Sequence, residues 1–243
     1  MSLPAAVPAR WTPERRFYTG MACMILATVL VGFARTFYLA SWFPEVQPLA
    51  APEGFFYVHG AVFTCWMLLL LLQPVLVARR RTDLHRKLGW VGAALAVAMV
   101  GVGLEGSLIA ARRPGGFMGI DAPPSVFLIV PLLDIALFAL FVALAILRRS
   151  DLQSHKRLML VGTICILGAA VARLPLPFMT GPVAFFVGTD LFLLPLVVWD
   201  LKSRGRLHPV TLWGGLVLIA SQPFRLWLSG TGAWLAFANG LIG

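Results

Sequence analysis

Charged side chains are scarce in this sequence. Only 12% of its 243 residues are Asp, Glu, Lys or Arg, whereas a soluble domain carries about 25%. Acidic residues are the rarer kind, with 10 against 20 basic ones, and the formal net charge is +10. Because 59% of the residues are hydrophobic and the mean hydropathy is +0.86, the composition excludes an ordinary soluble domain.

Motifs of known chemistry are also few. Cys23, Cys65 and Cys165 lack C-x-x-C spacing and fall in apolar runs, which predicts reduced thiols that pack as small hydrophobic groups. The phosphate-loop pattern G-x-x-x-x-G-K-[S/T], G-x-S-x-G and H-E-x-x-H are absent from the sequence. The last long apolar run contains no lysine, which disfavours a retinal Schiff base.

Long apolar runs recur along the whole chain. Runs of roughly 18 residues or more predict membrane-spanning helices, and the polar connections between them are too short for a soluble domain. We therefore predict an all-α fold, a single transmembrane domain over residues 1–243 that forms a seven-helix bundle. The predicted helices cover residues 18–42, 55–78, 87–111, 125–147, 157–174, 183–201 and 209–229.

The basic residues predict the orientation of this bundle. Fifteen of the 20 Lys and Arg lie in the N-terminal segment and in the breaks after helices 2, 4 and 6, if Lys87 and Arg157, which begin the next helices, are counted with the breaks. The opposite breaks are rich in proline and hold only Arg112 and Arg113. Since short loops rich in Lys and Arg stay cytoplasmic, the N-terminus is predicted in the cytoplasm and the C-terminus in the periplasm. The partner of this basic charge is the lipid bilayer, and no nucleic-acid partner is predicted.

The three basic breaks share a pattern. Each ends in a histidine that begins the next helix, with a glycine seven residues later. The pairs are His85 and Gly92, His155 and Gly162, and His208 and Gly215. We interpret helices 2–3, 4–5 and 6–7 as three related hairpins to which helix 1 is added.

Six ionisable residues of balanced sign fall inside the predicted spans, away from the residues at their ends. They are Arg35, Glu105, Asp134, Arg173, Asp190 and Arg225. Each costs at least about 2.5–3.5 kcal/mol in the membrane, so these side chains are expected to face the bundle interior and pair. At about 1.5 Å per residue, all six can meet in the outer half of the bilayer, together with His59 and Gln222.

This depth match predicts a polar pocket in which arginines bind a small anionic or carbonyl-bearing ligand. The alternative is a set of ion pairs that only hold the helices together, although buried pairs rarely stabilise a fold better than apolar packing does. The sequence leaves both interpretations open. It also leaves open whether the protein binds or transports the ligand.

The histidines of the basic breaks suggest a different chemistry. His85, His155 and His208 begin three helices on one side of the membrane and could bind a metal ion if those helix starts converged. Their side chains could instead satisfy free amide groups at the helix starts. A haem held by two histidines inside the membrane is disfavoured, because His59 has no partner histidine at its depth.

Short motifs along most of the chain carry a resemblance. They are Val58-His59-Gly60 with Trp66 and Gln73, Leu84-His85-Arg86-Lys87-Leu88-Gly89, His155-Lys156-Arg157-Leu158-Met159 and Ser221-Gln222-Pro223-Phe224-Arg225. The chain resembles bacterial multi-pass inner-membrane proteins from families without an assigned function, and the resemblance implies a bacterial inner-membrane location. Leu84-His85-Arg86 alone is similar to haem-binding cytochrome b561-type proteins, but their paired in-membrane histidines are not evident here.

Three functions remain as hypotheses at this point. The first is a membrane protein that binds or transports a small ligand in the outer-half pocket. The second is a membrane enzyme or redox protein with a metal or haem near the cytoplasmic histidines. The third is an accessory subunit of a larger membrane complex, as a homo- or hetero-oligomer.

Overall fold

The computed structural model describes residues 11–43, 54–178 and 181–243, and every regular element among them is helical. The α-helices are α1 Pro13–Gly32, α2 Gly54–Ala78, α3 Thr82–Arg112, α4 Pro124–Phe127, α5 Ile129–Leu147, α6 Leu152–Cys165, α7 Gly168–Val171, α8 Gly181–Asp190, α9 Leu193–Arg204, α10 Pro209–Ser229 and α11 Gly232–Ile242. A π-helical turn, Ala34–Tyr38, and a 3-10 turn, Ala40–Trp42, follow α1. The break predicted at Pro44, Pro48 and Pro52 lies outside the described residues.

Four helical segments are long and apolar enough to cross a membrane. They are α2, α3, the α4–α5 segment Pro124–Leu147 and the α8–α9 segment Gly181–Arg204. Large apolar side chains such as Val97 and Trp213 also lie exposed on the outside of the bundle. The all-helical class is therefore confirmed, and these features indicate a membrane protein. The count of seven spans and the orientation of the termini stay predictions.

Several predicted helices are interrupted in the structure. The first continues past Gly32 only as π and 3-10 turns, and the sixth is broken between Asp190 and Leu193. The fifth begins earlier than predicted, at Leu152, because Asp151 accepts hydrogen bonds from the amides of Gln153 and Ser154 and so caps its first turn. The Ser154 hydroxyl also donates to Asp151, and this bond helps hold the pKa of that carboxyl below its usual value.

The C-terminal segment corrects the sequence interpretation, which placed no helix after residue 229. Thr231 caps the 11-residue α11, and the indole of Trp234 donates a hydrogen bond to the carbonyl of Ser125 at 2.8 Å. Arg112 donates to the carbonyls of Leu241 and Ile242, which have no partner within the last turn of α11. At this length α11 is too short to span a bilayer, and it packs on α3 and α4.

The packing gives the bundle two distinguishable ends. The breaks after α2, α5 and α9 hold the arginine clusters, and we call this side the basic end. On this side Lys156 of α6 pairs with Glu14 of α1, and Arg157 of α6 pairs with Asp200 of α9. The breaks after α3 and α7, with α11, lie at the opposite side, the proline end. Helices α2 and α3 pack together, as do α5 and α6, whereas α10 packs mainly on α5 and α6 rather than on α9.

Helix α1 is fixed where its C-terminus approaches α7. A Cβ built on Gly32 would lie 2.3 Å from the carbonyl oxygen of Ala170, far inside van der Waals contact. The obstacle is backbone, which cannot rotate away as the end of a side chain could. Glycine at this position therefore permits the two helices to touch.

We expect Gly32→Ala to lower the melting temperature of the purified protein, because α1 must move away from α7 at a cost of roughly 1–3 kcal/mol. The matched control in the same helix is Gly20→Ala, since a Cβ there meets nothing within 4 Å. Gly20→Ala should be neutral or slightly stabilising, by about 0.5–1 kcal/mol at most. Equal melting temperatures for the two variants would contradict the close contact.

Candidate functional site

Three helix interruptions carry charged residues and meet in one region. Arg35 lies in the π-helical turn, Arg173 follows α7 in a turn, and Asp190 ends α8. These interruptions are neighbours because both α1 and α8 pack on α7. We call this region the broken-helix site. Backbone that leaves helical geometry within a membrane is tolerated where it is surrounded by protein or lines a cavity, so the region is a candidate for function.

One ion pair connects α5 and α10 beside this region. The Nη1 of Arg225 donates to Oδ1 of Asp134 at 2.6 Å, and the arginine side chain is 1% exposed. Its other donors reach the carbonyl and hydroxyl of Ser221 and the carbonyl of Val130. The guanidinium also lies 5.3 Å from the ring centroid of Phe186. Arg225 is thus largely satisfied by the protein itself.

The carboxylates of Asp134 and Asp190 each keep one oxygen outside these contacts. Oδ1 of Asp190 accepts a 2.7 Å hydrogen bond from the amide of Gln222, which links α8 to α10. Oδ2 of Asp134 lies near Gly168, where a Cβ would be 3.8 Å from it and 3.7 Å from the hydroxyl of Thr189. The start of α7 therefore lies beside the carboxylate of Asp134 and beside Thr189, the residue that precedes Asp190.

Arg173 differs from Arg225 in its partners. Its Nη1 donates to the carbonyl of Ala169 at 2.7 Å, and its guanidinium lies 5.0 Å from the centroid of the Phe33 ring. Within the part of the chain that the structure describes, no carboxylate forms an ion pair with it. Its guanidinium thus contacts one carbonyl and one aromatic face.

Of the remaining predicted residues, Arg35 and His59 contact aromatic rings, whereas Glu105 is exposed. Arg35 stacks on Phe43 at 5.3 Å, and His59 stacks on Phe63 at 4.3 Å with its Nδ1 3.4 Å from the carbonyl of Val102. His59 is also close enough to Arg173 to interact with its charge. Glu105, in contrast, is exposed on α3 and contacts none of the other predicted residues through a hydrogen bond or ion pair in the described ranges.

The histidines at the basic end make three different contacts. Gln73, with its amide oriented so that both of its polar atoms are satisfied, donates to Nδ1 of His85. Nδ1 of His155 is 2.9 Å from the carbonyl of Ala145, and His208 accepts from the amide of Val210 as the cap of α10. Among the described residues, no group of three or more His, Cys, Asp or Glu side chains could hold a metal ion. The structure therefore gives the metal prediction no support.

A second buried network, at the basic end, has no counterpart in the sequence analysis. Arg157 and Asp200 are fully buried and form an ion pair, with Nε of the arginine 3.0 Å from Oδ1 of the aspartate. Asp200 also accepts from the hydroxyl of Thr211 and the amide of His208, and Arg157 donates to Gln153. The sequence did contain an indication of this pair, because Asp200 is a fourth acidic residue within the predicted spans, near the end of the sixth.

Comparison with known proteins adds no further evidence. No family model, no curated protein and no solved structure matches the chain. The resemblance noted in the sequence therefore stays a prediction, and the geometry carries the functional argument.

We expect Asp134→Leu to destabilise the protein by about 3–5 kcal/mol, because it leaves the buried charge of Arg225 without its counter-ion. The double variant Asp134→Leu/Arg225→Met should recover most of this loss, since an apolar pair replaces an ionic one. Thermal unfolding in detergent measures both effects.

Asp83→Asn is the control for these two variants, because Asp83 pairs with Arg81 on the exposed surface. That substitution should leave the melting temperature unchanged. If Asp134→Leu were as mild as the control, the Arg225–Asp134 pair would not be an essential contact of the bundle.

Proposed function

We propose that this chain is a multi-pass membrane protein that binds a small anionic or carbonyl-bearing ligand at the broken-helix site, with Arg173 as the anchoring cation. The observation that carries the proposal is that Arg173 lies within a predicted span without a carboxylate partner among the described residues. A guanidinium presents two parallel N–H donors that match a carboxylate or phosphate, and it stays charged at any physiological pH.

Energetics support a ligand-binding role over a purely structural one. The buried charges of Arg225 and Arg157 are both compensated by aspartates, so the fold can neutralise an internal arginine where stability requires it. An uncompensated arginine in a membrane costs several kcal/mol. A ligand that carries the missing negative charge would recover that cost on binding.

The backbone around Arg173 is also suited to binding. Substrate sites of many membrane transporters are built where helices are interrupted, because free amides and carbonyls there can contact the ligand. Three such interruptions meet beside Arg173, and π-helical turns like Ala34–Tyr38 occur frequently at functional sites. The oxygens of Asp134 and Asp190 that accept no hydrogen bond from the described residues would then orient a ligand that has a donor group opposite its anionic one.

The proposed membrane placement follows from the basic residues. With seven spans and the basic end in the cytoplasm of a bacterium, the broken-helix site lies in the half of the inner membrane that faces the periplasm. The ligand would then enter from outside the cell.

Purified protein should be melted in mild detergent against a panel of small carboxylates, phosphate and sulfate. A ligand present at about 100 times its Kd stabilises the folded state by about 2.7 kcal/mol, which raises the melting temperature of wild-type protein measurably. Arg173→Gln should abolish that increase. Without ligand, Arg173→Gln should melt no lower than wild type, because the substitution removes an unpaired charge.

Arg206→Gln is the matched control, since Arg206 is an exposed arginine at the basic end. It should respond to the ligand as wild type does. Arg173→Lys should bind more weakly than wild type but better than the glutamine variant, because it keeps the charge and loses the paired donors. An unchanged response in Arg173→Gln, or no response of wild type to any member of the panel, would refute the proposal.

A further inference from the structure

Two adjoining depressions, both open to the outside of the bundle, lie at the basic end, on the far side of the bundle from Arg173; we call them the cavity and the groove. The first has a volume of about 410 Å³ and a mixed polar lining that includes Glu14, Gln153, Arg157, Trp199 and Arg204. The second is a groove of about 460 Å³ between α1 and α9. Apart from the charged end of Arg16 its lining is apolar, with Phe17, Gly20, Met21, Met24 and Pro195.

The polar cavity and the apolar groove are continuous. Pro13 lines both of them. At their boundary the ring of Phe17, which lines the groove, stacks on that of Trp199, which lines the cavity, with centroids 4.7 Å apart and planes within 8° of parallel. The side chains therefore change from charged to apolar along the first two turns of α1. Tryptophan at such a boundary is typical of the level at which lipid headgroups meet acyl chains.

The charges of the cavity favour an anion. Glu14 is neutralised by Lys156, and Arg157 by Asp200, so these four groups contribute no net charge. Arg204, at the cavity, and Arg16, at the groove, remain as exposed cations without an ion pair in the described ranges. The net charge of the combined surface is positive, and its cations lie at the polar end.

From this arrangement we propose that the basic end holds one anionic phospholipid of the surrounding bilayer, with its phosphate between Arg16 and Arg204 and an acyl chain in the groove along α1. Basic pockets between helices on the cytoplasmic side are a known mode of anionic headgroup recognition, and each basic residue contributes about 1 kcal/mol, or about fivefold in affinity. The apolar groove supplies the part of the site that a soluble anion cannot use. This inference is independent of the ligand proposed at Arg173.

Gly20 offers a way to block the groove without disturbing the fold. A Cβ at Gly20 meets nothing within 4 Å, so Gly20→Leu places its side chain in the space that the acyl chain would occupy. Gly101→Leu is the matched control, because Gly101 is a helical glycine with equally open surroundings on α3. Melting temperatures of both variants near that of wild type show that they fold.

The test is native mass spectrometry of the full chain in mild detergent, titrated with phosphatidylglycerol or with phosphatidylcholine of the same acyl chains. We expect one tightly bound phosphatidylglycerol per protein and much weaker binding of phosphatidylcholine. Arg204→Gln and Arg16→Gln should each weaken binding about fivefold, whereas Arg206→Gln should leave it unchanged. Gly20→Leu should weaken it by roughly tenfold for every two methylene groups that lose contact, and Gly101→Leu should not.

Three results would overturn the proposal. Equal binding of the two lipids would show that the site does not recognise charge. Unchanged binding in Arg204→Gln and Gly20→Leu would place the lipid elsewhere. Full competition by glycerol phosphate at the same concentration would show that the cavity binds a soluble anion without using the groove. None of these results depends on Arg173, so failure here is distinguishable from failure of the proposed ligand site.

Discussion

The pairing of Arg157 with Asp200 sets the geometry of the basic end. Both side chains are fully buried, so neither can regain solvation except by partial unfolding. Asp200 also accepts from His208 and Thr211, at the beginning of α10, and Arg157 is bonded to Gln153 on α6. Gln153 in turn donates to Glu14 of α1. One aspartate and one arginine thereby determine where α1, α6, α9 and α10 meet, and the rest of the bundle is arranged around this junction.

At the proline end the arginine charges are compensated unequally. Arg225 forms an ion pair with Asp134, but Arg173 nearby contacts a carbonyl and an aromatic ring. The fold compensates Arg157 and Arg225 with aspartates, whereas Arg173 has no carboxylate partner among the described residues. This contrast is the basis of our proposal that a ligand binds beside the interrupted helices.

Two of the residues predicted to lie in the outer half of the bilayer, Asp134 and Arg225, form an ion pair. The bounds of α10 agree with the predicted 209–229, because His208, Pro209 and the glycine after Ser229 are clear helix signals. Arg157 was counted as a loop cation because the fifth helix was predicted to begin five residues too late. The cap at Asp151, a local hydrogen-bonding feature, was the missing information.

Other features could not follow from hydropathy at all. A hydropathy window is insensitive to where backbone hydrogen bonds change from α to π geometry, so the turn at Ala34–Tyr38 and the break after Asp190 were invisible to it. The same holds for the direction of a side chain, and Glu105 is exposed although its depth matched that of the other charges. α11 was missed although it is apolar and Thr231 caps it, because its 11 residues are fewer than the runs of roughly 18 that predict a span.

Helix α1 takes part in both proposed sites. Its first turns line the cavity and groove at the basic end, and Phe33, directly after its last residue, lies against Arg173. A ligand at one end could affect the other by displacing this helix. The backbone contact of Gly32 with Ala170 leaves α1 no freedom to move toward α7, and the bond from Gln153 to Glu14 holds its other end. From these contacts we expect the two proposed sites to share a helix and to bind independently.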